Sequence, residues 1–330
     1  MPRWRGANAL ASISETGAFY NENGLLSGIP PPMQEHTPAA TDSTESQPSP
    51  LTKLLGLFEL EQIKTDHYVG QSLDLGFRNL FGGHILGQSL VAATNTCEAR
   101  SAHSLHAYFI RGGNPHAPID YAVDRVRDGN SFSVRRVVAS QGGQAILILS
   151  SSFQSDEDGF EHQFDMPDVP PPESLPPNIS SDLAIDIRPV DPVDRYQPTK
   201  KAPSQHIWFR ANGSVPQHPA LQKCLLAYAS DFSLLSTCLR PHGLTYYQPG
   251  MVTASLDHAM WFYRNFKIDD WLLYACDSPT SGHARGLNRG NIFNRDGKLV
   301  ASVTQEGLVR QVGTVLTPRA SGSAQVRQSA

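Results

Sequence analysis

Proline sets the first limit on how this chain can fold. Between Asp165 and Ser180 stand Pro167, Pro170, Pro171, Pro172, Pro176 and Pro177. With fixed φ and no N–H to donate, that stretch continues neither a helix nor a central strand, and it reads as a linker between two halves. A triple proline, Pro30–Pro32, lies in residues 1–50, which are rich in Ser, Thr, Glu and Gln and show no sustained period of 2 or 3.6. That composition predicts a disordered tail. Residues 317–330 form a second polar tail with little to bury. The expected organisation is two domains, 51–164 and 181–316, flanking the linker 165–180. A chain of 330 residues is long enough for each to bury its own core.

Both halves run through the same order of elements. In the first, Gly82-Gly83 precede the apolar run HILGQSLVAAT, and SFSVRRVVAS joins AILILSSSF through Gly142-Gly143. In the second, LQKCLLAYASDFSLLSTCLR reads as one helix, and NRGNIFN joins KLVASVTQEGLV through Asp296-Gly297. Gly-Gly and Asp-Gly between apolar runs are hairpin turns. Superposing the two turns places Ser151 opposite Gln305, and Ser104-Leu105 and Ser255-Leu256 begin corresponding strands. Duplication with divergence is the simplest account.

The formal charge is −4, and residues 1–50 supply −3 of it, from two arginines against five carboxylates. The remainder carries neither a basic nucleic-acid footprint nor an acidic solvating composition, which favours a small-molecule ligand. Cys97, Cys224, Cys238 and Cys276 lie far apart, without metal-ligand spacing, and read as reduced thiols of an intracellular protein. No apolar run reaches the length of about 18 residues that a membrane span needs, and no export signal opens the chain.

Several residues invite chemistry. Asp231, read as mid-helix, has Cys224, Tyr228, Leu235 and Cys238 at −7, −3, +4 and +7. A carboxylate on that face has either a structural partner or a function. Gln305 alternates in phase with Leu299, Ala301 and Val303, so an inward carboxamide is expected, either bonding a neighbouring strand or serving a site. Ser255, Asp257 and His258 are clustered, but strand alternation would send Ser255 and His258 to opposite faces. That argues against a Ser/His/Asp triad, as does the missing Gly-x-Ser-x-Gly elbow. His103 and His106 are spaced as for a metal on a helix, yet they lie in a predicted strand, and no metal is expected. Gly82-Gly83 before a helix either present amides to a carbonyl oxygen or phosphate, or form a cap.

Taken together, FGGHILGQSL, HSLHAYFIRGGNP, YASDFSLL, TASLDHAMWF, HARGLNRG and VTQEGLVR resemble the type II acyl-CoA thioesterases over about Leu51 to Arg310, and especially the peroxisomal members of eukaryotes. The resemblance implies an α+β double hotdog, in which two curved antiparallel sheets each wrap a long helix. It implies hydrolysis of acyl-CoA through a water activated by Asp231, Ser255 and Gln305, with no cofactor and with acyl-CoA as the partner molecule. It further implies a homo-oligomer. His103, His106 and Gly83 are expected to support the site from the first half. Arg264, Arg285 and Arg289 are expectations for coenzyme A phosphates, against the reading of a solvated strand face. The chain ends Gln328-Ser329-Ala330 where a peroxisomal address would read Ser-Lys-Leu, leaving cytoplasmic and peroxisomal locations open. Two other functions compete: a hotdog hydratase or dehydratase, which needs an Asp/His acid–base pair, and a silent acyl-CoA binder, which should have lost one of the three residues.

Overall fold

The computed structural model describes residues 48–176 and 183–312. The two predicted tails, apart from residues 48–50, the end of the linker and Gln328–Ala330 lie outside these residues.

The first half opens with α1 (Pro50–Leu57), where Pro50 sits in the first turn and the Ser49 hydroxyl accepts from Thr52 N. Strands β1 (Glu61–Lys64) and β2 (His67–Gly70), helix α2 (Gly82–Thr94), and strands β3 (Ser101–Phe109), β4 (Ile119–Asp128), β5 (Phe132–Gln141) and β6 (Gln144–Gln154) follow. The second half has β7 (Ile185–Pro189), β8 (Ser204–Ala211), α3 (Pro219–Ser230), β9 (Met251–Ser255), β10 (Asp257–Phe262), β11 (Leu272–Gly282), β12 (Arg285–Phe293) and β13 (Leu299–Gln311). Both expected hairpins form. Gly142 and Gly143 take φ of 55° and 75°, as a two-residue turn between β5 and β6 requires, and Gly297 takes φ of 74° between β12 and β13.

The duplication is visible in the strand order. The first half runs β2-β4-β5-β6-β3 and the second runs β10-β13-β12-β11-β8, so corresponding strands occupy corresponding places. The edge strands β3 and β10 then pair antiparallel, Leu105 opposite Met260, which joins the halves into one sheet. The core follows suit. Instead of two separate cores, one cluster of buried side chains takes Leu86 and Leu90 from α2, Leu225 and Leu226 from α3, and strand residues of both halves.

The helices are enclosed. Every residue from Gly83 to Ala93 in α2 and from Gln222 to Ser230 in α3 is buried. They pack on each other so closely at Gly83 and Gly87 that a Cβ there would overlap or press on the Tyr228 and Cys224 carbonyl oxygens. The described part of the linker is ordered. It forms a short 3-10 turn at Pro172–Ser174 and accepts a bond from Trp208 Nε1 at Pro170 O. All four cysteines are unpaired and buried.

Candidate active site

Asp231 is not in mid-helix. Helix α3 ends at Ser230, Asp231 is its C-cap, and a 3-10 helix resumes at Leu235–His242. Ser233, with φ of 65°, breaks the continuity that the apolar spacing suggests. The carboxylate thereby leaves the helix face and sits beside the N-terminus of α2, where Oδ2 accepts from the Gly83 backbone N–H at 2.8 Å.

Strand β13 brings the second member. Ala301, Val303, Gln305 and Gly307 alternate inward and buried, as the sequence predicts for Gln305. Gln305 Nε2 donates to Asp231 Oδ1 at 2.7 Å and lies 3.0 Å from Ser255 Oγ and 3.2 Å from His258 Nδ1. Gln305 Oε1 is buried and has no hydrogen-bond partner among the described residues.

Ser255 and His258 face the same way, contrary to the alternation argument. Ser255 pairs with Gly307 and Ala259 with Thr304, so β9–β10 advances four residues while β13 retreats three. That extra residue is a β-bulge, which reverses the phase of the strand. The bulge would leave Glu306 N–H without an acceptor in the ladder, and Asp257 Oδ1 takes that bond at 2.7 Å. No triad results: Ser255 Oγ and His258 Nδ1 each face the Gln305 amide nitrogen, and among the described residues they do not bond one another.

Electrostatically the cluster is divided. Burial raises the Asp231 pKa, and the bonds from Gln305 and Gly83 oppose that rise. Burial pushes His258 down to about 3, so its ring is neutral. Its Nε2 lies 2.9 Å from Ser230 Oγ. Gln305 and His258 are fully buried, whereas Asp231 and Ser255 are partly exposed and mark the open side.

The supporting residues expected from sequence separate into two groups. Gly83 reaches the cluster, but its N–H is aimed at Asp231 and not at an open position. His103 and His106 do not reach it. His103 Nε2 bonds Ser152 Oγ at 2.8 Å, and His106 is exposed with its ring edge-on to Trp261. Arg285 on β12 pairs with Glu306, Arg289 on β12 pairs with Asp277, and Arg264, just past β10, pairs with Glu161. His258 and Ser230 are the members that sequence reasoning missed. Only a bulge could have revealed His258, and a bulge leaves no mark in local composition.

Comparison with known proteins fits this arrangement. Residues 73–154 match the model of an acyl-CoA thioesterase N-terminal domain, and residues 182–308 match that of acyl-CoA thioesterase. A relative from Haemophilus influenzae, Acyl-CoA thioesterase 2, is 40% identical over 280 residues, covering 79% of this chain and 98% of its own. The chain belongs to the acyl-CoA thioesterase family. Within the family, the crystal structure of the acyl-CoA thioesterase II TesB2 from Mycobacterium marinum has 41% identity. It aligns with a TM-score of 0.69 over 79% of this chain and 98% of that one. A protein from Alicyclobacillus acidocaldarius described as having a hot dog fold is only 18% identical. It aligns at 0.68 over 78% and 98%, which shows the shared double-hotdog fold. The second family match contains Asp231, Ser255 and Gln305, and the first contains Gly83.

Proposed function

We propose that this thioesterase family member hydrolyses acyl-CoA to a free carboxylic acid and coenzyme A, using a water held by Asp231, Ser255 and Gln305. The observation that carries the reading is the Asp231 carboxylate, fixed on both oxygens by Gln305 and Gly83 in a residue that is itself partly exposed.

The chemistry follows from that geometry. Asp231 accepts a proton from water as the water oxygen attacks the thioester carbonyl carbon. The Ser255 hydroxyl, on a partly exposed residue, offers the water a donor or acceptor, and the Gln305 amide holds Asp231 in place. Collapse of the tetrahedral species breaks the C–S bond, and the departing thiolate recovers the proton. A thiol with a pKa of about 8.5 leaves readily, so an oriented water suffices without a stronger nucleophile.

A hydratase would need an acid–base pair open to the acyl chain. The available imidazole, His258, is committed to Ser230 and Gln305. The test is thiol release from acyl-CoAs of graded length and branching, with wild type beside Asp231→Asn, Ser255→Ala and Gln305→Ala. Loss of release in the variants supports the proposal. No release by wild type from any acyl-CoA sinks the activity, and full kcat in all three variants sinks the site.

A further inference from the structure

We propose that His258 is a positioning residue, one that fixes which end of the Gln305 carboxamide faces Asp231 through a directed chain of hydrogen bonds running from Ala227 O. The inference rests on the proposed water-activating role of Gln305 and names a residue behind it that no part of that mechanism uses.

Donor and acceptor counting sets the direction. Ser230 Oγ donates its single proton to Ala227 O at 3.0 Å. It must therefore accept at its other contact, 2.9 Å from His258 Nε2, which makes that nitrogen the protonated one. A neutral imidazole protonated on Nε2 has a bare Nδ1, which can only accept. Facing it at 3.2 Å is a nitrogen of Gln305, a donor. The same nitrogen donates to Asp231 Oδ1 at 2.7 Å. Rotating the amide by half a turn would set Gln305 Oε1 against both the Asp231 carboxylate and the His258 lone pair, so both neighbours reject it. The surviving orientation leaves Oε1 buried and without a hydrogen-bond partner among the described residues, with the amide nitrogen turned to Asp231.

The structure holds this chain firmly. Ser230 closes α3, its carbonyl accepts from Tyr274 OH at 3.1 Å, and His258 is fully buried on β10. Burial also pushes the His258 pKa down to about 3, so at neutral pH the ring is uncharged and Nδ1 stays an acceptor.

The variants separate position from bulk. His258→Phe fills much the same space without an acceptor, whereas His258→Asn sets Oδ1 near the place of Nδ1. Thiol release from the best acyl-CoA of the panel should show kcat reduced by about 10- to 100-fold in His258→Phe, the scale of a misplacement of about 1 Å, with KM within about threefold. His258→Asn should recover most of that loss at a comparable melting temperature. Equal kcat for His258→Phe and wild type, or an equal loss in both variants at equal Tm, overturns the proposal. A second readout needs no turnover. In the ¹⁵N-histidine-labelled full chain, the resonance lost in the variants should show protonation at Nε2, and protonation at Nδ1 overturns the chain of bonds directly. Should wild type prove inactive, the thioesterase reading fails and this spectrum alone decides the inference.

Discussion

Gly83 and Asp231 stand 148 residues apart in sequence and 2.8 Å apart in space, with the amide at the start of α2 donating to the carboxylate at the end of α3. This bond ties the cluster to both halves of the molecule. It also requires glycine, because a Cβ at position 83 would overlap the Tyr228 carbonyl oxygen and press on the Phe81 ring. A backbone oxygen inside a packed helix pair has little room to give. Gly83→Ala is expected to cost about 1–3 kcal/mol of stability, as overpacking does, and to lower kcat by displacing Asp231. Thermal unfolding and thiol release on the same preparation check both.

Asp231→Asn removes the proton acceptor and is expected to lower kcat by about 10²- to 10⁴-fold. The raised pKa of Asp231 adds a pH signature. In the folded state the group holds its proton to higher pH than in the unfolded chain. Its contribution to stability is therefore full below the ordinary aspartate value of 3.8 and is lost as pH rises through the folded value. Relative to the non-titrating variant, wild type should lose stability with rising pH across that window while its kcat rises. Melting curves and rate profiles of the pair measure the two trends. A constant difference in Tm would show that Asp231 does not titrate as described.

Much of this arrangement was legible in the sequence because it depended on local periodicity or turn chemistry. Alternation along β13 placed Gln305 inward, and Gly142-Gly143 and Asp296-Gly297 marked the hairpins. The apolar spacing around Asp231 located its neighbourhood, but it could not show the helix ending at Ser230, because Ser233 adopts positive φ without being glycine or asparagine. Alternation failed at Ser255 and His258 since a bulge inserts one residue, and its sign, the Asp257 carboxylate on Glu306 N, is a contact between strands 49 residues apart. Pairing of β3 with β10 was illegible for the same reason. Two sheet edges with suitable faces do not specify each other locally.

Gln305→Glu should move the acid limb of the kcat–pH profile. A carboxylate introduced 2.7 Å from Asp231 Oδ1 would repel it, and the pair would share one proton over the range where wild type is already ionised. The expected profile shifts to higher pH by about one unit or more, with a lower plateau because no amide N–H then holds Asp231. An unshifted limb with a lowered plateau would mean that the limb belongs to another group.

Ser255 is expected to act by hydrogen bonding and not as a nucleophile. A serine nucleophile needs a base in contact, yet Ser255 Oγ lies 3.0 Å from an amide nitrogen, which cannot take its proton. His258, the imidazole nearby, has its lone pair on the Gln305 nitrogen and its other nitrogen on Ser230. Intact mass spectrometry during turnover should therefore show no acyl adduct on the chain. Ser255→Thr, which keeps a hydroxyl, should retain activity within about fivefold, whereas Ser255→Ala should lose about 10- to 100-fold in kcat, the range of a misplaced reacting group. An acyl adduct that disappears in Ser255→Ala would replace the activated water with a covalent route, and it would also require His258 to leave the position in which it bonds Ser230.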